Sequence, residues 1–329
     1  MVELNNNELV FRFSDVHEDA VCRIDFQRTL RIPDDNKEYP LPPGLGSFPM
    51  EHVEDYSDRL PPSWSTHGGA LLPMYQAEAM WLSFSSDSGF PFAVKIAAGK
   101  INAVTGETWR NELVKQPQDY VVIPDQPWLD GFCVQKGLIR QFVAMPLGQG
   151  YTAEEQISGT AEHGGLQIVV YPIKKERYLE MLKLNPPMDM LCCPSAPCAM
   201  ESMGLAPGGL MRQEIYEDDY GFDAWDLNLS SRCFVHILNS AQWMVATGKP
   251  APGKPPTASD YTKCGLPWFD YYDDSLKALD GAKKLAVLDS VAAKTVKLGN
   301  KPLAANQSIK PQTVVSLGSG SNKISDGQW

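Results

Sequence analysis

Two histidines stand in the same short setting. His67-Gly68-Gly69 is followed after five residues by Tyr75, and His163-Gly164-Gly165 after five residues by Tyr171. Imidazole exchanges protons near neutral pH, and paired glycines let a ligand or another backbone approach closely. Glu162 adjoins His163, with Glu154 and Glu155 upstream, so carboxylates able to act as acid, base or ligand groups are at hand. His67, His163 and Glu162 therefore form the candidate catalytic set of an acid–base or metal-dependent enzyme such as a hydrolase. The same elements also describe tight turns entering strands, and their recurrence with one spacing favours that fold-level role.

A second repeated element is Pro-Trp-x-Asp. It occurs as Pro127-Trp128-Leu129-Asp130 and as Pro267-Trp268-Phe269-Asp270. An exposed indole beside a carboxylate can stack on a flat ligand while the acid accepts hydrogen bonds; a buried one is a core anchor with its N–H satisfied nearby. Trp128, Asp130, Trp268, Asp270, Tyr75 and Tyr171 are the candidate ligand-binding residues.

Sulfur concentrates between Met188 and Met211, where Cys192, Cys193, Cys198, Met200 and Met203 accompany Met190. Thiolates and thioethers select Cu(I) over harder ions, so Cys192, Cys193, Cys198 and Met200 are candidate ligands for copper or another metal. Packing of an irregular Pro-rich loop by adaptable side chains is the other reading. The acidic-aromatic run from Glu214 to Asp226 follows; it could offer oxygen ligands to a hard cation but lacks EF-hand spacing. The chain has no phosphate-loop, dinucleotide-binding, nucleophile-elbow or H-E-x-x-H signature. Cys133 could serve as a nucleophile only if the fold brings a histidine to it.

The elements that must position these residues are mostly strands. Alternation or continuous apolar character predicts strands at Val10–Phe13, Val21–Ile32, Phe90–Ala97, Tyr120–Ile123, Leu138–Met145, Leu166–Ile173 and Cys233–Leu238. Twenty-six prolines and 26 glycines punctuate them, as turns and strand edges require. Helices are few: Thr152 and Glu155 match a capping box, Lys174–Leu184 is amphipathic, and Leu285, Leu288, Val291 and Thr295 recur at helical spacing.

Phe92 to Gly106 also reads in parallel with Phe234 to Gly248, at nearly the offset that relates Pro127 to Pro267. The expectation is a mainly β (β-rich α+β) protein of two tandem-duplicated lobes with a pseudo-twofold relation and few short helices. The first lobe would span 19–133 and the second 137–272, with a Met/Cys-rich and acidic insertion at about 185–226; residues 273–329 would form a C-terminal extension, partly disordered. A ligand or partner surface is expected between the lobes, because small-molecule sites favour such junctions.

A net charge of −11 repels phosphate backbones, which argues against nucleic acid. No apolar run approaches the length of a membrane span. Seven cysteines without a disulfide framework, and an N-terminus without a basic and apolar leader, suit reduced thiols in the cytoplasm. The functional expectation is an intracellular binding or assembly protein, with a small molecule, another protein or a second copy of the chain as partner.

Overall fold

The computed structural model describes residues 1–184, 202–271, 273 and 275–317. It is mainly β. Among these residues seventeen strands share one sheet, a two-stranded sheet stands apart, and the longest of the described helices, Lys175–Leu184, has ten residues.

Pairing runs continuously through Val2–Asn5, Glu8–Arg12, Val21–Thr29, Ala79–Ser86, Leu138–Pro146, Ser202–Arg212 and Ser231–Asn239. From there it passes to Leu166–Pro172, Phe92–Ala98 and Val121–Ile123. Phe13, just past the second of these strands, meets Phe92 near the far end with ring centroids 5.9 Å apart, so the sheet curls around one main core, with smaller apolar clusters about Trp64 and Trp243 and about Val143 and Val291.

Burial follows the sequence pattern. In Val21–Thr29, Cys22, Ile24 and Phe26 point inward while Arg23, Asp25 and Gln27 stay half-exposed, the period-two signature of a strand with one wet face. Phe92–Ala98 and Leu166–Pro172 are buried at every residue, so both of their faces are covered. The Thr152 hydroxyl accepts from the Glu155 N–H while the Glu155 carboxylate accepts from the Thr152 N–H, closing the capping box.

The two nominal lobes do not form separate sheets. Phe92–Ala98 pairs with Leu166–Pro172, Ala79–Ser86 with Leu138–Pro146 and Ala70–Met74 with Ser231–Asn239. A hairpin of Gly131–Gln135 and Leu138–Pro146 crosses the 133/137 boundary. The parallel segments also diverge in structure. Phe92–Ala98 turns back through Gly99 and Lys100 to pair with Ile101–Asn102, whereas Ser231–Asn239 runs into the helix Ser240–Thr247, whose first turn is capped by the Asn239 side chain. Within the expected insertion, Ser202–Arg212 is a central strand against Leu138–Pro146, and Met203 and Met211 are core residues. At the C-terminal end Val314–Ser316 pairs in parallel with Trp268–Asp270.

No helix among the described residues is long and apolar enough to cross a membrane.

Candidate functional site

The strand Ser231–Asn239 organises the site. Ala70–Met74 lies on one edge, parallel, and Leu166–Pro172 on the other, antiparallel. Each neighbour is entered through its His-Gly-Gly element, so the two elements arrive on opposite flanks of the same strand.

The close fit explains the glycines. A Cβ at Gly69 would stand 2.1 Å from the Phe234 carbonyl oxygen, and one at Gly165 would stand 2.4 Å from that of Val235. Both distances lie inside van der Waals contact, so only glycine lets these backbones meet.

Rings stack above the strand. The short helix Pro62–His67 lays Trp64 on His236, centroids 4.3 Å apart, and His67 on Phe234, 4.9 Å apart and nearly parallel. Phe234 and His236, two apart in the strand, share a face and stack on each other at 4.3 Å. The His67 and His163 ring centroids are 6.3 Å apart. His236 Nε2 lies 3.2 Å from the Gly68 carbonyl; a carbonyl only accepts, so Nε2 carries the proton and donates. Burial pushes His236 down to about 3, so it is neutral at physiological pH. Burial also lowers His67, with Lys100 and then His163 adding to the shift.

The carboxylate that serves the second element is Glu154. Buried at 1% exposure, it accepts the backbone N–H groups of Glu162, His163 and Gly164 at 2.8–2.9 Å. Glu162 contributes only its N–H to this arrangement, and its side chain is exposed.

A pocket of about 410 Å³ opens beside His67, lined also by Lys100, Trp109, Asn111, Arg232 and Cys233. Gly99 and Lys100 both have positive φ, forming the two-residue turn between Phe92–Ala98 and Ile101–Asn102. A lysine in that conformation is uncommon. The Lys100 N–H donates to Gln167 Oε1 and its carbonyl accepts from the Trp109 N–H. Trp109 is fixed further by Nε1 donating to Asn111 Oδ1 at 3.0 Å and by the buried Lys95 ammonium 5.5 Å from its ring centroid. The Asn111 carbonyl accepts from the Tyr171 hydroxyl at 2.8 Å.

The pocket is electropositive on an acidic protein. Lys100 and Arg232 line it, no acidic residue does, and neither cation belongs to an ion pair among the described residues. The Cys233 thiol is pushed up to about 12 by burial, with Glu54 adding to the rise, so it is no thiolate nucleophile at neutral pH. Cys133 is likewise pushed up to about 12 by burial.

The remaining expected residues scatter. The Tyr75 hydroxyl donates to the Pro252 carbonyl, remote from this pocket. Trp268 is fully buried, its Nε1 donating to the Thr262 hydroxyl at 3.2 Å, which makes it a core anchor. Asp270 pairs with Arg212 at 2.8 Å. Trp128 is half-exposed and meets Tyr271 edge-on, while Asp130 is buried. Cys192, Cys193, Cys198 and Met200 lie outside the described residues. Among the described residues no three His, Cys, Asp or Glu side chains are placed to hold a metal ion. In the acidic-aromatic run, Asp218 accepts from the Tyr120 hydroxyl, Trp225 Nε1 and the N–H groups of Tyr220 and Gly221, a structural hub.

Lys100, Trp109, Arg232 and His236 were not singled out by sequence. The usable signal was Gly99-Lys100 between two apolar runs, a hairpin turn with a lysine where glycine or asparagine is favoured. Compared with protein families, curated proteins and solved structures, the chain matches none.

Proposed function

We propose that this protein binds a small anionic ligand in the pocket beside His67. A carboxylate or phosphate would sit between Lys100 and Arg232, and a planar or apolar body would lie against Trp109. The observation that carries this reading is that two cations, unpaired among the described residues, line one concave site whose lining has no acid. Fixed groups reduce the ordering cost of binding, and here the Lys100 backbone is held by Gln167 and Trp109, the Trp109 indole by Asn111, and the Asn111 backbone by Tyr171.

Phenylphosphate, benzoate and benzyl alcohol, followed by tryptophan fluorescence, test the reading. The two anions are expected to bind more tightly than the alcohol, and Lys100→Met or Arg232→Met to weaken them about tenfold, or about 1.4 kcal/mol. Equal binding of benzyl alcohol, or no binding of either anion, overturns it.

Acid–base catalysis on the bound anion is the second reading, favoured by the approach of His67 to His163 and by the lowered pKa of His67. Release of phenol from phenylphosphate, lost in His67→Gln with binding retained, would support it.

A further inference from the structure

The first Pro-Trp-x-Asp element borders a different groove, of about 320 Å³, walled by Pro42, Pro43, Trp81, Trp128 and Phe269. The walls are aromatic and apolar. Asp130 is the one ionisable residue among the described residues that line it.

That aspartate is in an unusual position. It is 3% exposed. Its backbone is satisfied, the N–H donating to Gln213 Oε1 at 3.0 Å and the carbonyl accepting from the Phe142 N–H at 2.9 Å. Its side-chain Oδ2 has no hydrogen-bond partner among the described residues. A buried carboxylate oxygen without a donor is costly and is rarely kept without a use. Neither Arg212, paired with Asp270, nor Arg140, which bonds the Gly208 carbonyl and lies 3.8 Å from Asp34, donates to it, and the Nε of each is itself without a partner among the described residues. Burial raises the Asp130 carboxyl to about 7, against the smaller lowering effect of the Trp128 side chain beside it.

We propose that this groove is a second ligand site and that it takes a small organic cation, an ammonium group on an aromatic or alkyl body. The ring faces of Trp81, Trp128 and Phe269 attract a cation through their quadrupoles. Pro42 and Pro43 accept its apolar body, and Asp130 supplies the counter-charge and the missing acceptor. A polyhydroxylated ligand would leave its hydroxyls against an apolar wall, at a desolvation cost. When the cation binds to the protonated site, the Asp130 O–H bond breaks, the proton leaves to solvent, and the carboxylate accepts from the ammonium. This site does not depend on the anion reading of the His67 pocket.

Benzylammonium is the probe, titrated into the full chain by tryptophan fluorescence and by calorimetry in two buffers of different ionisation enthalpy. Binding is expected to tighten about tenfold or more between about pH 5.5 and about pH 7.5, with proton release below pH 7. Benzyl alcohol should bind at least about tenfold more weakly. Asp130→Asn should remove both the pH dependence and the preference for the cation, whereas Lys100→Met should change neither. The comparison of benzylammonium with benzyl alcohol on the unmodified chain decides the matter even if the Asn variant does not fold. Equal affinity for the two, pH-independent binding, or no binding of benzylammonium at millimolar concentration overturns the proposal.

Discussion

His67 and His163 lie with ring centroids 6.3 Å apart and planes tilted by 59°, although the strands they lead into flank Ser231–Asn239 in opposite senses, one parallel and one antiparallel. The shared tripeptide thus solves one packing problem twice: a chain must pass within contact distance of the central strand's carbonyls.

Gly69→Ala and Gly165→Ala are each expected to destabilise the fold by about 2–4 kcal/mol, from a Cβ driven into a carbonyl at a positive φ. Gly159→Ala is the control. Gly159 also has a positive φ, but a Cβ there meets nothing within 4 Å, so about 1–2 kcal/mol is expected. Urea unfolding midpoints at constant m-value compare the three.

Glu154 and Glu162 separate a buried structural carboxylate from an exposed one. Glu154→Ala leaves three backbone N–H groups without their acceptor and is expected to cost about 3 kcal/mol or more. Glu162→Ala should stay within about 0.5 kcal/mol of the unmodified chain. Thermal melts of the two variants test this, and a reversed order would refute the assignment of Glu154 as the organiser of the turn.

His236 couples stability to acid. Its imidazole falls from an ordinary value of 6.5 to about 3 in the fold, so between those values the unfolded chain holds a proton that the native chain lacks. Stability from this group is therefore full above pH 6.5 and is lost as pH falls toward 3, by about 1.4 kcal/mol per pH unit. His236→Phe keeps a ring between Trp64 and Phe234 and should flatten that limb in urea titrations taken at successive pH values.

Asp130 acts in the opposite sense. Its carboxyl rises from 3.8 to about 7, so the native state holds the extra proton between these values and stability falls as pH rises through them. The stability of Asp130→Asn relative to the unmodified chain should grow by about 1.4 kcal/mol per pH unit between pH 4 and pH 7. A gap that does not change with pH would mean that burial does not raise the carboxyl.

The strand-rich class was legible because alternation in Val21–Thr29 and unbroken apolar character in Leu166–Pro172 report burial directly. The helix at Lys175–Leu184 and the capping box at Thr152 were legible for the same local reason. The likeness of Phe92–Gly106 to Phe234–Gly248 did not extend to structure past the strands. Two residues decide the difference: Lys100 continues a hairpin turn after Gly99, while Asn239 caps a helix. The approach of His67 to His163 is set by which strands pair, and a one-dimensional pattern does not encode pairing order. The Lys100–Arg232 pocket was hidden likewise, since neither cation stands in a motif and they line one pocket only because Leu166–Pro172 lies between Ser231–Asn239, which carries Arg232, and Phe92–Ala98, which leads into the Lys100 turn.

The most direct test of the anion-pocket reading uses the chain's five histidines as reporters. Imidazole NMR resonances would be followed while phenylphosphate is added, first to the unmodified protein and then to Lys100→Met. Saturable movement of the His67 signal, with His52 and the buried His236 unchanged and the effect lost in Lys100→Met, is the expected result. A His67 resonance that stays fixed while phenylphosphate binds elsewhere, or that moves equally in both proteins, would contradict it.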